Sequence, residues 1–118
     1  MLPVISTKAG EVIFEEGKND HRMFILLKGS VLLYVTRNGK EIEMETVEQY
    51  QFFGEIEMFQ KKPRTLSAKA LVNSRMAVIK TRMQLEQFMS EHPEFSGKMT
   101  RMMAHRLAQA ERSVSLGA

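Results

Sequence analysis

Between Glu11 and Thr81 no apolar run goes far before turn-forming residues interrupt it, and this punctuation constrains the fold more than any other feature. "EVIFEE" ends in "GKND", "MFILL" in "KGS", and "VLLYVTR" in Asn38-Gly39. Asn and Gly both tolerate positive φ, so this pair predicts a two-residue hairpin leading into "KEIEMETV". There Ile42, Met44 and Val47 stand among Glu41, Glu43 and Glu45, the pattern of a half-exposed strand. "SAKALV" and "RMAVIKT", parted by Asn73-Ser74, supply two more strands. Turns this frequent imply a compact antiparallel barrel or sandwich.

After Thr81 the period changes. Thr81 is positioned to cap a helix over "RMQLEQFMSE", where Leu85, Phe88 and Met89 recur at helical spacing. Pro93 suits the first turn of a second helix, along which Phe95, Met99, Met102, Met103 and Leu107 recur at three and four. The expected organisation is one domain over residues 1–118, with a β-barrel over about 8–81 and C-terminal helices over about 82–114. The methionine stripe packs on the barrel in the simplest reading. Unbranched Met also repacks readily, which suits a movable or shared surface, so dimerisation through the last helix is expected.

Composition narrows function by exclusion. A net charge of +3 tolerates an anionic ligand but lacks the dense basic stripe of a nucleic-acid binder. With no cysteine, thiol catalysis, disulfides and Cys-based zinc sites are excluded. His21, His92 and His105 have no metal-ligand spacing, so no metal is expected. No apolar run reaches membrane-spanning length and "MLPVISTKAG" lacks the plan of a signal peptide, so a cytoplasmic chain without membrane insertion is expected.

The stretch "FFGEIEMFQKKPRTLSAKA", Phe52 to Ala70, does not read as ordinary sheet. Gly54 allows a backbone turn that directs N–H groups inward, and a short helix over Ile56 to Gln60 is expected after it. Pro63 stiffens the approach to Arg64, placed here at the start of the next strand, whose guanidinium matches two phosphate oxygens at once. Glu55 would repel a phosphate and is better used to accept from a sugar hydroxyl. One acid and one fixed cation so spaced describe either a ribose-phosphate reader or an ion pair across a turn.

The same stretch resembles the phosphate-binding cassette of cyclic nucleotide-binding domains: Phe-Gly-Glu-aliphatic-Ala-Leu, a short gap, then Pro-Arg-Thr/Ala-Ala and a strand. Phe53, Gly54, Glu55, Ile56, Met58, Pro63, Arg64, Thr65, Lys69 and Ala70 match in register. "KAGEVIFEEGKND" and "MFILLKGSVLLYV", with Gly10, Gly17 and Gly29, are similar to the family's early strands. "MAHRLAQ" resembles the long helix that follows the barrel in bacterial catabolite-activator-type regulators. The family's leading helix is cut to a few residues.

The resemblance implies a mainly β fold with C-terminal α structure: an antiparallel β-barrel of double-stranded β-helix or jelly-roll type, a short cassette helix and two C-terminal helices. It implies that Arg64 pairs with the cyclic phosphate of cAMP or cGMP and that Glu55 accepts the ribose 2′-hydroxyl. Amides from Gly54 through Ile56 to Glu57 and that of Thr65, beside Pro63, would complete the phosphate contacts. The Thr65 hydroxyl could touch a base amino group. Three positions depart from the family. Glu57 replaces an Ala, and leaves the site open only if it turns outward to Lys61 or Lys62; bonded to Arg64, it would leave the shape without the ligand. Tyr50 stands where Gly usually precedes the cassette. Ala110 and Glu111 stand where the catabolite activator contacts adenine, and only Glu111 could accept from an exocyclic amine.

The expected function is a non-enzymatic cyclic-nucleotide sensor whose C-terminal helices close on the base. Its rivals are a scaffold or dimerisation domain with a degenerate cassette, and the sensory fragment of a transcription regulator, a channel or a kinase. The chain ends at "SVSLGA" without a recognition helix, so it is not expected to read DNA itself.

Overall fold

The computed structural model describes residues 2–101 and 105. Eight strands form two four-stranded antiparallel sheets. One has the order β1 (Val4–Thr7), β8 (Ser74–Ile79), β3 (Met23–Lys28), β6 (Phe52–Phe53). The other runs β2 (Val12–Phe14), β7 (Ser67–Ala70), β4 (Val31–Arg37), β5 (Lys40–Val47). The β-structure is therefore a jelly-roll-like pair of sheets rather than a closed barrel.

The core forms because residues two apart on a strand share a face. Phe24 and Leu26 of β3, Met76 and Val78 of β8, Val31 and Leu33 of β4, and Phe14 and Phe53 make one buried cluster drawn from both sheets. Phe14, Phe24 and Phe53 lie together, with centroids 5.0 Å apart for Phe24–Phe53 and 5.9 Å for Phe14–Phe24. The short helix α1 (Glu55–Gln60) lies against β3.

The Asn38-Gly39 turn forms as its chemistry demands, with φ of 55° and 75° and Arg37 paired to Lys40. Helix α2 (Arg82–Glu91) opens with a reciprocal cap: the Gln84 N–H donates to Thr81 Oγ1, and Gln84 Oε1 accepts from the Lys80 and Thr81 amides. Residues 93–101 are helical, in keeping with a start at Pro93. The chain's contacts divide it into two units after Glu86; in the second, Phe88, His92 and Phe95 form an aromatic cluster. The Met102, Met103 and Leu107 part of the methionine stripe, Ala110 and Glu111 lie outside the described residues.

Three expectations need correction. β1 begins the sheet at Val4, ahead of the boundary expected near residue 8, because Val4 to Thr7 pair with β8. β5 is an edge strand whose residues are exposed on both faces, with Ile42 at 46% and Met44 at 57%, and only Val47 buried. A bulge opposite Leu33/Tyr34 breaks the register on which simple alternation depends. Arg64 precedes β7 rather than starting it.

Gly29 is the glycine the packing most depends on. Its φ is 106°, and a Cβ there would lie 2.1 Å from Ser74 Oγ and 2.8 Å from Ser74 Cα, so backbone would have to move. Gly29→Ala is expected to destabilise the fold by about 2 kcal/mol or more, through strain and collision together. Urea denaturation checks this; an unchanged midpoint would contradict the close β3–β4 turn against Ser74.

Candidate functional site

Arg64 is built into the interior. Its side chain has 0% exposure, and its guanidinium lies 3.8 Å above the Phe14 ring, on the edge of the aromatic core. A guanidinium is always charged, so burial is tolerable only if its donors are satisfied. Nη1 donates to the Gly54 carbonyl at 2.9 Å and to Glu57 Oε1 at 2.8 Å. Nη2 donates to the Arg22 carbonyl and lies 3.3 Å from Asp20 Oδ1. The backbone is held as firmly: the Arg64 amide donates to the Lys18 carbonyl, and the Arg64 carbonyl accepts from the Gly17 amide. Nε alone is buried with no hydrogen-bond partner among the described residues.

The local chain geometry makes this possible. Gly54 has φ 80°, ψ 7° and caps α1 with no side-chain hydrogen bond. A Cβ there would lie 2.9 Å from both Arg64 Nη1 and the Arg22 carbonyl, so glycine lets the chain close over the guanidinium. Tyr50, where the family usually has Gly, takes φ 67° and donates its amide to the Leu26 carbonyl, preserving a left-handed turn without glycine. Glu55 is buried at the first position of α1, within the cassette that also brings Gly54, Ile56, Glu57, Pro63, Arg64 and Thr65 into one segment. Ile56 is exposed.

Of the two arrangements open to Glu57, the outward turn to Lys61 or Lys62 does not occur. Glu57 is buried and bonds Arg64, and its Oε2 accepts from Thr65 Oγ1 at 3.3 Å. Pairing with Lys61 presumes a helix that continues to the fourth residue on. Here α1 ends at Gln60, and Lys61 takes φ 51° with its amide returned to the Glu57 carbonyl, which removes its side chain from the helical stripe. Glu57 is thus free of its basic neighbours and faces the buried cation instead.

Two partners were missing from the sequence reading. Asp20, in the loop before β3, chelates Arg22 through bonds of 2.9 and 2.8 Å and reaches Arg64 as well. Phe14 supplies the face beneath the guanidinium. The "GKND" turn signalled a loop at Asp20, but only the tertiary fold brings it to Arg64.

The buried guanidinium of Arg64 thus already carries the Glu57 carboxylate, with Asp20 beside it, and no set of three His, Asp or Glu able to bind a metal occurs among the described residues. None of the described helices is long and apolar enough to cross a membrane.

Comparison with known proteins gives the family and the fold. The family model described as "Cyclic nucleotide-binding domain" matches residues 4–92. The chain is 29% identical over 115 residues to a CRP-like cAMP-activated global transcriptional regulator of Mycobacterium tuberculosis, covering 97% of this chain and 51% of that protein. It therefore spans about half the length of the curated relatives it matches. In fold it is similar to the catabolite activator protein of Thermus thermophilus, with TM-score 0.78 at 21% identity over 98% of this chain and 54% of that one. It is also similar to the EAL enzyme Bd1971 in its cAMP-bound form, with TM-score 0.67 at 26% identity over 97% of this chain and 31% of that one. The cGMP-bound form of that enzyme gives TM-score 0.68 at 26% identity, over 94% of this chain and 30% of that one.

Asp20 gives the cluster a pH signature. Partial burial pushes its carboxyl up, but hydrogen bonds from the Arg22 side chain and amide and the charges of Arg64 and Arg22 outweigh this, holding it at about 2 against an ordinary 3.8. A depressed carboxylate contributes stability above its unfolded pKa and loses it as pH falls towards its folded one. After screening, about 1–2 kcal/mol should therefore disappear between about pH 4 and about pH 2. Urea midpoints of wild type and Asp20→Asn should differ at about pH 5 and converge as pH falls; a constant gap would contradict the pairing.

Proposed function

The chain belongs to the cyclic nucleotide-binding domain family, and from that premise we propose that it is a non-catalytic sensor module for cAMP or cGMP. The observation that carries this reading is the buried, rigidly held guanidinium of Arg64, anchored by Gly54, Arg22, Asp20 and Phe14 and keeping one buried N–H unpartnered among the described residues. A cyclic phosphodiester has the oxygens and the single negative charge to bond such a fork. In this reading Arg64 holds the phosphate, Glu55 accepts the ribose 2′-hydroxyl, and the amides around Gly54, Ile56 and Thr65 line the phosphate. The Bd1971 structures with cAMP and with cGMP support the ligand class without choosing between the two.

The signal leaves the module through its conformational equilibrium. A ligand shifts helices only by binding one arrangement better than another, and couplings of about 1–3 kcal/mol are typical. Closure of the C-terminal helices on the base, contact by Glu111, homodimerisation through the last helix and residence in the cytoplasm belong to this proposal. So does service within a longer regulator, as half-length coverage of the relatives suggests.

A second reading is favoured by the Glu57–Arg64 pair, the bond expected from the sequence to leave the shape without the ligand, because it neutralises the cation from within. There the domain keeps the fold as a scaffold and takes no nucleotide.

Thermal unfolding with cAMP, cGMP and a cyclic dinucleotide separates the two. A ligand present at about 100 times its dissociation constant adds about 2.7 kcal/mol, so the sensor should melt measurably higher with one of the first two. Arg64→Lys, which keeps the charge and loses the fork, should weaken binding by about 2–4 kcal/mol in isothermal titration. No shift at millimolar nucleotide would decide for the scaffold.

A further inference from the structure

The acid on Arg64 has the form of the ligand assigned to it. Glu57 presents two oxygens sharing one negative charge, one on Arg64 Nη1 at 2.8 Å and the other accepting from Thr65 Oγ1 at 3.3 Å. A phosphodiester presents the same pair of charge-sharing oxygens. Both carboxylate and guanidinium are withdrawn from solvent, at 6% and 0% exposure, so the pair is little screened by water.

Arg64 does not need Glu57 to stay in place. The Gly54 and Arg22 carbonyls, Asp20, the ring of Phe14 and the two backbone bonds to Gly17 and Lys18 hold it independently. Glu57 therefore occupies a binding position on a cation that other groups orient. Two anions cannot share that position, since like charges a few ångströms apart disfavour one another.

Resting on the sensor reading, we propose that Glu57 is a built-in competitor for the nucleotide phosphate and sets the concentration at which the domain responds. Binding is an exchange: the Glu57–Arg64 and Glu57–Thr65 bonds break, the phosphate takes Arg64, and the carboxylate leaves the guanidinium. The domain is thereby tuned to a higher nucleotide level than the same site with a small neutral side chain at this position. The competitor also raises the fold's stability in the unliganded state, because it gives a buried charge a counterion.

Isothermal titration of cAMP and cGMP into the full chain, wild type against Glu57→Gln and Glu57→Ala, tests this, with unliganded thermal unfolding measured in parallel. Both variants should bind at least about tenfold more tightly while melting lower without ligand, opposite movements that a merely structural role would not produce. Glu57→Asp keeps the charge for folding and shortens the arm, and should tighten binding by a smaller factor. Wild type that binds, with variants that bind no more tightly, overturns the competitor and leaves the sensor reading intact. Binding by the variants alone would make Glu57 a complete block, which overturns the tuning role and decides for the scaffold in the wild-type chain. Failure of wild type and every variant to bind either nucleotide overturns both.

Discussion

A permanent positive charge lies inside a small β-sandwich, and the surrounding structure is organised by the need to satisfy it. The guanidinium of Arg64 cannot shed its proton, so every bond it makes offsets a desolvation cost of several kcal/mol. The 17–20 loop clasps its backbone, Gly54 closes over its fork, and Phe14 lies beneath it. Those contacts join the cassette to both sheets, because Phe14 belongs to β2 and packs with Phe24 of β3 and Phe53 of β6. Through Arg64, the site and the core are one construction.

Charge balance then determines what the site can do. Arg22 and Arg64 face Asp20 and Glu57 in a network with two cations and two carboxylates. In the proposed exchange an arriving phosphate adds a negative charge beside these carboxylates, so one of them has to leave the guanidinium. Asp20 is tied by three hydrogen bonds to Arg22. Glu57 has one bond to Arg64 and a longer one from Thr65, which makes it the anion more easily exchanged. Under the proposed exchange, the position of this one acid sets the terms of binding.

Much of this was legible in the sequence where local chemistry decides. Asn38-Gly39 turned as its positive-φ tolerance required, and Thr81 with Gln84 capped α2. The cassette's Gly-Glu and Pro-Arg-Thr located the buried cation. Elements governed by distant partners were not legible. β1 and β6 are short strands that exist because β8 and β3 offer them edges. Asp20 reads as a loop acid until the fold brings it to Arg64. Which way Glu57 turns could not be read from spacing, because helical spacing to Lys61 counts only while the helix lasts, and a left-handed residue ends it there. Tyr50 shows the converse: the residue type departed from the family while the positive φ remained.

In the proposed exchange the Arg64 guanidinium passes from one anion to another. Its buried Nε–H is the most direct reporter, since it has no partner among the described residues. The ¹⁵N–¹H resonance of the Arg64 side chain, followed by NMR during addition of cAMP or cGMP, should shift and saturate as the phosphate replaces Glu57. A resonance that stays in place while nucleotide is added to saturation elsewhere on the domain, or through a titration in which nothing moves, would contradict it.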